Sequence, residues 1–257
     1  MTITLSNVTS GYSGFQLSDI TATITKGSLT ALIGPNGCGK STLLKTITRH
    51  ITKTRGQITI DGTDISPLSF KQLAQLISFL PQHPVVPAGI TVEQLVGYGR
   101  APYQNLFGLR SALDIAKTDE ALELVSLNGL RNSLVTDLSG GQKQRAFIAM
   151  CVAQNTPYIL LDEPTSFLDI RHQYEVLDLM YLLHRKGKTV VCVLHDVAQT
   201  ARFASDVIVM KQGSLVQAGA PHDVITQDLV LDVYGIRANV YPDPITGTSV
   251  ISPLPRD

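Results

Sequence analysis

Neither sign of charge is in excess in this chain: 21 lysines and arginines balance 21 aspartates and glutamates. A general nucleic-acid binder carries a basic surplus, so that class is disfavoured. Cysteine is scarce. Cys38, Cys151 and Cys192 are far apart, odd in number and without metal-ligand spacing, which excludes a disulfide framework and fits free thiols in a reducing compartment. No apolar run approaches the roughly 20 residues that span a bilayer. The start, Met1-Thr2-Ile3-Thr4-Leu5-Ser6, has no basic region and no long apolar stretch, so no signal peptide is expected. Repeats and low-complexity segments are missing too. What remains is apolar: 44% hydrophobic against 16% charged in 257 residues. That suits one large α/β domain or two small ones around a substantial core.

One run is far more specific than the composition. Gly34-Pro35-Asn36-Gly37-Cys38-Gly39-Lys40-Ser41-Thr42 fits G-x-x-x-x-G-K-[ST]. Leu29–Ile33 reads as a buried strand entering it, and Thr42–Ile47 as a helix leaving it. Glycines let the backbone curl so that its N–H groups face one concavity, and the helix N-terminus adds partial positive charge. Lys40 is expected to reach β- and γ-phosphates and Ser41 to ligate Mg²⁺. The pattern predicts a nucleoside-triphosphate site. Cys38 lies inside it between two glycines. With a helix N-terminus and Lys40 nearby, it is expected to be an open, thiolate-forming cysteine, more reactive than Cys151 or Cys192; the alternative is a small residue filling a loop position, its sulfur turned inward and inert.

The first third of the chain reads as β-rich, with strands around Ile3–Leu5, Ile20–Ile24, Gln57–Ile60 and Ile77–Leu80. A proline-rich patch from Pro81 to Pro87 leads into a helical middle. There Thr91 with Gln94, and Ser111 with Asp114, resemble helix-start signals. Asp114–Leu127 carries Ile115, Ala116, Leu122 and Val125 at approximate helical spacing. From Tyr158 onward the alternation is βαβ: strand Tyr158–Leu161, helix from about Asp169 to Arg185, strand Thr189–Leu194, a helix, then strand Val207–Met210. Short apolar strands between helices predict an α/β fold with a mostly parallel sheet covered on both faces. The tail from Asn239, with its four prolines, is expected to be extended on the surface.

Two further motifs carry chemistry. Tyr158–Leu161 ends in Asp162-Glu163. Strand alternation points adjacent side chains apart, so Asp162 can hold Mg²⁺ while Glu163 orients or deprotonates water. Leu138-Ser139-Gly140-Gly141-Gln142 precedes a helical run, Lys143 to Ala153, which makes either a plain helix cap or an anion site. This second run resembles the signature of ATP-binding-cassette (ABC) ATPases, whose other motifs follow in family order over essentially the whole chain. Tyr12 matches the residue that stacks on adenine. Gln82 matches the Q-loop glutamine, Ser166-Phe167-Leu168-Asp169 the D-loop, and His195 the switch histidine.

The resemblance implies a P-loop NTPase of the ABC type. Its RecA-like, mostly parallel core would take residues 1–84 and 155–238, including an N-terminal antiparallel β-subdomain. A helical subdomain, 85–154, would carry the signature, and 239–257 form the tail of one ABC ATPase domain. It implies ATP and Mg²⁺, with Ser41, Gln82 and Asp162 toward the metal and Glu163, His195, Gln82 and Lys40 in catalysis. Nucleotide contacts would come from Tyr12, Gly34 to Thr42, Ser139, Gly140, Gly141, Gln142 and Asp169. A head-to-tail homodimer would sandwich two ATP molecules, each between the P-loop of one copy and the signature of the other. A lone cassette with all its catalytic residues is similar to the ATPase subunits of importers. These sit at the cytoplasmic face of the cell membrane on separate permease subunits, served indirectly by a substrate-binding protein, with no nucleic acid. Ile90–Tyr103, Gln72-Leu73-Ala74, Ala153–Pro157 and Asp169–Gln173 resemble the iron-chelate branch, for siderophore or citrate. Cobalamin or haem importers and a soluble non-transport ATPase are the alternatives.

Overall fold

Every residue of the runs 29–33, 158–161 and 189–193 is buried, the signature of strands covered on both faces. The computed structural model describes residues 2–86, 88–104 and 108–255. It opens with β1 (Thr2–Tyr12), β2 (Phe15–Thr25), β3 (Leu29–Ile33), α1 (Lys40–Ile47), β4 (Lys53–Ile60) and β5 (Thr63–Asp64). There follow α2 (Phe70–Leu76), β6 (Ile77–Leu80), α3 (Val92–Tyr98), α4 (Ala112–Leu124), α5 (Gly140–Ala153), β7 (Tyr158–Leu161) and α6 (Ile170–Arg185). The remainder is β8 (Thr189–Val193), α7 (Val197–Phe203), β9 (Asp206–Lys211), β10 (Ser214–Gly219), α8 (Pro221–Val224), α9 (Gln227–Tyr234), β11 (Ala238–Pro242) and β12 (Ser249–Pro253).

These elements pack as two units, Met1–Pro67 with Thr189–Asp257, and Leu68–Lys188. In the first, β2, β1, β4 and β5 form an antiparallel sheet. The pairing of β1 shifts register after Leu5, next to Asn7 at φ 49, so apolar alternation along it is broken by a bulge. In the same unit β3 lies between β8 and β9, parallel to both, with β10 antiparallel to β9. The tail pairs into the β11–β12 ribbon, from Ala238 opposite Pro253 to Pro242 opposite Ser249.

In the second unit β6 and β7 are parallel, with Leu80 opposite Leu161. Both expected helix starts are capping boxes, Thr91 with Gln94 and Ser111 with Asp114. Helix α4 departs from its expected face. Ile115 is 49% exposed, whereas Asp114 and Thr118 are buried beside Ala121 and Leu122. The cause is Arg100, 3% exposed, whose Nε donates to Asp114 at 2.9 Å and whose Nη1 donates to the Ala153 carbonyl at 2.9 Å. A buried charge must be paired and hydrogen-bonded, so α4 turns its acid inward. Residues 68–84 and 155–188, counted with the core in the sequence, pack in the same unit as 85–154.

Candidate functional site

The phosphate loop begins where β3 ends. Gly34 sits at φ 142 and Gly39 at φ 110. A Cβ on Gly34 would run into the Met210 backbone, and one on Gly39 would meet Leu17 and the Phe15 ring, so neither position admits another residue. The loop closes on Lys40, 5% exposed, whose Nζ donates to the carbonyls of Gly34 at 2.8 Å and Pro35 at 3.0 Å. Asn36 and Gly37 are exposed at the rim, Ser41 is half-buried, and Thr42 is buried in the first turn of α1.

The aromatic expected at a base lies in the same unit. Tyr12 is the last residue of β1, 54% exposed and paired with Phe15, and Phe15 packs against Gly39. His195 follows β8, exposed, one residue past Leu194, whose N–H bonds the Leu32 carbonyl at 3.2 Å. It therefore leaves its strand beside the end of β3, at the carboxyl ends where ligands of α/β sheets bind. Asp196 caps α7 through the N–H groups of Ala198 and Gln199.

Cys38 corrects an expectation. It is 3% exposed, its carbonyl accepts from the Gly213 N–H at 3.0 Å, and its sulfur lies 3.9 Å from Lys40 Nζ. Burial pushes the thiol above its ordinary value, and the pull of Lys40 does not offset it. The thiolate-forming, open cysteine read from the flanking glycines is not there. Cys151 and Cys192 are buried more completely and pushed up to about 12. A partner that the sequence reading missed supports the loop from α9. Tyr234 is raised to about 12, first by burial and then by Cys38, while a bond from the Gly34 backbone pulls the other way. No local signal in the sequence marks Tyr234 for this place.

The second unit gathers the acids. Because β6 and β7 end side by side, Gln82 and the Asp162-Glu163 pair emerge together. Asp162 is 1% exposed and its N–H bonds the Leu80 carbonyl at 2.9 Å. Glu163 takes φ 53, a left-handed backbone that is costly for a non-glycine residue and concentrates at functional sites. Its Oε2 accepts from Gln82 Nε2 at 2.6 Å and from Ser166 Oγ at 2.9 Å. The first bond was not expected from either residue's assigned part, and Ser166 had been read only as a motif member. Ser139 caps α5 in a closed capping box, accepting from the Gln142 N–H at 3.3 Å and returning its own N–H to Gln142 at 3.0 Å. Gly140 and Gly141 form the first turn. Asp169 caps α6 in turn, accepting from the His172 N–H at 2.9 Å.

The donor types suit magnesium. That ion takes hard oxygen ligands and keeps several waters, and Ser41, Asp162 and Gln82 offer a hydroxyl, a buried carboxylate and an amide. Among the described residues no three His, Cys, Asp or Glu side chains group as a metal site.

The sequence pattern of the ABC transporter family matches residues 17–166. The chain belongs to that family. The ferric enterobactin transport ATP-binding protein FepC of Escherichia coli (strain K12) is 42% identical over 251 residues, 97% of this chain and 93% of that protein. The achromobactin transport ATP-binding protein CbrD of Dickeya dadantii (strain 3937) is 41% identical over 257 residues, covering 99% and 96%. Among solved structures, an inward-facing ABC transporter assigned to the metal-chelate type aligns at TM-score 0.86 and 26% identity, over 100% of this chain and 98% of the other. A dimeric bacterial ABC transporter cassette aligns at TM-score 0.75 and 31% identity, over 85% and 98%. The fold is that of an ABC ATPase, an ATP-binding import subunit in which hydrolysis is coupled to transport.

Proposed function

We propose that this chain powers a membrane importer of ferric chelates, of the siderophore or citrate class. The 42% identity to the enterobactin-transport relative, spread over 97% of the chain, carries this reading of the cargo. The catalytic reading rests on Glu163, whose carboxylate is oriented by two donors at the end of a buried strand.

Each candidate residue then has a physical task. Lys40 already spends its ammonium on two loop carbonyls. Phosphate oxygens carry the negative charge that these neutral carbonyls lack and so add ion pairing to the hydrogen bond, so a triphosphate draws Lys40 toward its β- and γ-groups. The backbone N–H groups from Gly34 to Thr42 complete the cradle, and Tyr12 offers its ring face to adenine. Ser41, Asp162 and Gln82 would hold Mg²⁺, which when bound would neutralise charge developing on the phosphates. Glu163 orients the attacking water and takes its proton, and His195 donates a hydrogen bond to the γ-phosphate. Ser139, Gly140, Gly141, Gln142 and Asp169 serve the ATP held by a second copy in a head-to-tail dimer. Permease subunits form the membrane path and a substrate-binding protein delivers cargo. The ATPase docks at the cytoplasmic face, and the segment 84–103 offers the surface, with Val85, Tyr98 and Tyr103 exposed and Leu95 in the core. Pro87 lies outside the described residues.

Deleting this chain in its host and measuring uptake of radiolabelled ferric siderophore, ferric citrate and cobalamin tests the cargo. Loss of a ferric-chelate uptake with cobalamin uptake intact is expected. Loss of cobalamin uptake alone would contradict it.

A further inference from the structure

Gly141, inside the signature, has a close neighbour from another helix. A Cβ built on it would fall 2.6 Å from Cγ and 2.9 Å from Nε2 of His172. The imidazole of the α6 residue therefore lies over the glycine backbone, in the space that any other side chain would need. The ring is held in turn. Asp169 Oδ1 accepts both the His172 backbone N–H at 2.9 Å and Nδ1 at 2.7 Å. Those two bonds hold the Asp169 carboxyl below its ordinary range, so it is an ionised acceptor and the Nδ1 proton faces it. His172 is thus aimed and locked, 29% exposed, with one face against Gly141.

The location gives this packing a consequence. Gly140 and Gly141 make the first turn of α5, where N–H groups lack intrahelical acceptors. The Ser139–Gln142 capping box ties down the residues on either side of the two glycines. Gly141 carries no side chain of its own to anchor it, and glycine is the residue with most backbone freedom to lose. We propose that His172 is a positioning residue for ATP hydrolysis: its ring, held by Asp169, seats Gly141 so that the signature N–H groups meet the triphosphate bound by a second copy. This rests on the reading of Ser139–Gln142 as the part of the ATP site supplied by the other copy. Asp169 then acts on that nucleotide through His172.

The test uses the full chain with His172→Ala. In the nucleotide-free protein the backbone order parameter of Gly141, from ¹⁵N relaxation, is expected to fall from the rigid value of about 0.85 to below about 0.6. In turnover, KM for ATP is expected to rise about 10-fold with kcat at saturating ATP within about two-fold, the split of a weakened binding contact. An unchanged order parameter or an unchanged KM would overturn the proposal. Gly141→Ala guards against a merely unstable variant. It places a methyl group in the ring, so Gly141→Ala/His172→Ala is expected to melt higher than Gly141→Ala alone, and a double variant melting no higher would contradict the packing. Glu163→Gln separates the two readings. If that chain forms no ATP-dependent dimer while Gly141 loosens in His172→Ala, the two-copy site fails and the seat of Gly141 stands.

Discussion

At Glu163 a single carboxylate oxygen is shared between Gln82 Nε2 and Ser166 Oγ. If Glu163 is the base, as proposed, a carboxylate held this way is already in one rotamer when water arrives, and misplacement by an ångström can cost about 100-fold in rate. Ser166→Ala removes one of the two donors without touching the phosphate loop. The expected outcome is a fall in kcat of about 10- to 100-fold, with ATP affinity measured by titration calorimetry unchanged. An unchanged kcat would show that the Ser166 bond is not needed to orient Glu163. Cys38 gives a second residue-scale expectation. The thiolate is the reactive form, and burial puts this thiol above the ordinary cysteine value. Alkylation of the native chain, followed by mass spectrometry, should therefore still be accelerating as pH passes that value. A rate that levels off near neutral pH would contradict it. Cys151 and Cys192, at about 12, should remain unlabelled until the chain unfolds. The motif residues were legible because each is a short, spaced chemical requirement. The partners of Ser166, His172 and Tyr234 were not, because they are set by packing rather than by spacing.

Among the elements, β3, β6 and β7 came out at the residues read from the sequence. Each is a short, mainly apolar run bounded by turn signals and largely covered on both faces, its polar members Thr30 and Ser78 being buried with the rest. The capping boxes at Thr91 and Ser111 were equally readable, since a cap and its N3 partner lie within one turn. What failed to show was long-range or exposed. Strand β10 is largely exposed along its length, and the β11–β12 ribbon depends on pairing across a turn. The face of α4 was misjudged because Arg100, outside that helix, decides it. Arg100 also stacks over Tyr103, 4.0 Å from the ring centre, and bonds the carbonyls at the end of α5. Burial alone would raise Asp114, but bonds from Ser111 and then Arg100 bring it below the ordinary range. Arg100→Ala leaves that carboxylate buried and unpaired, and is expected to destabilise the chain by about 3–5 kcal/mol, read from urea denaturation. Loss of less than about 1 kcal/mol would mean that the pair is worth no more than an exposed one.

At the scale of the molecule, each copy carries both kinds of equipment. The phosphate loop, Tyr12 and His195 belong to one unit, and Gln82, Asp162, Glu163 and the signature to the other. In the proposed head-to-tail pair ATP would be held between two chains, so binding would close the dimer and hydrolysis would release it, the mechanical output proposed to reach a permease. The most direct measurement is complementation between two inactive chains. Ser139→Arg blocks the signature, Lys40→Ala disables the phosphate loop, and each homodimer should be inactive. Random pairing of equal amounts should restore about a quarter of wild-type ATPase activity, because half the dimers are mixed and each retains one intact composite site of two. A mixture no more active than the separate variants, or turnover by the Ser139→Arg homodimer above that of the mixture, would contradict a site built from two copies.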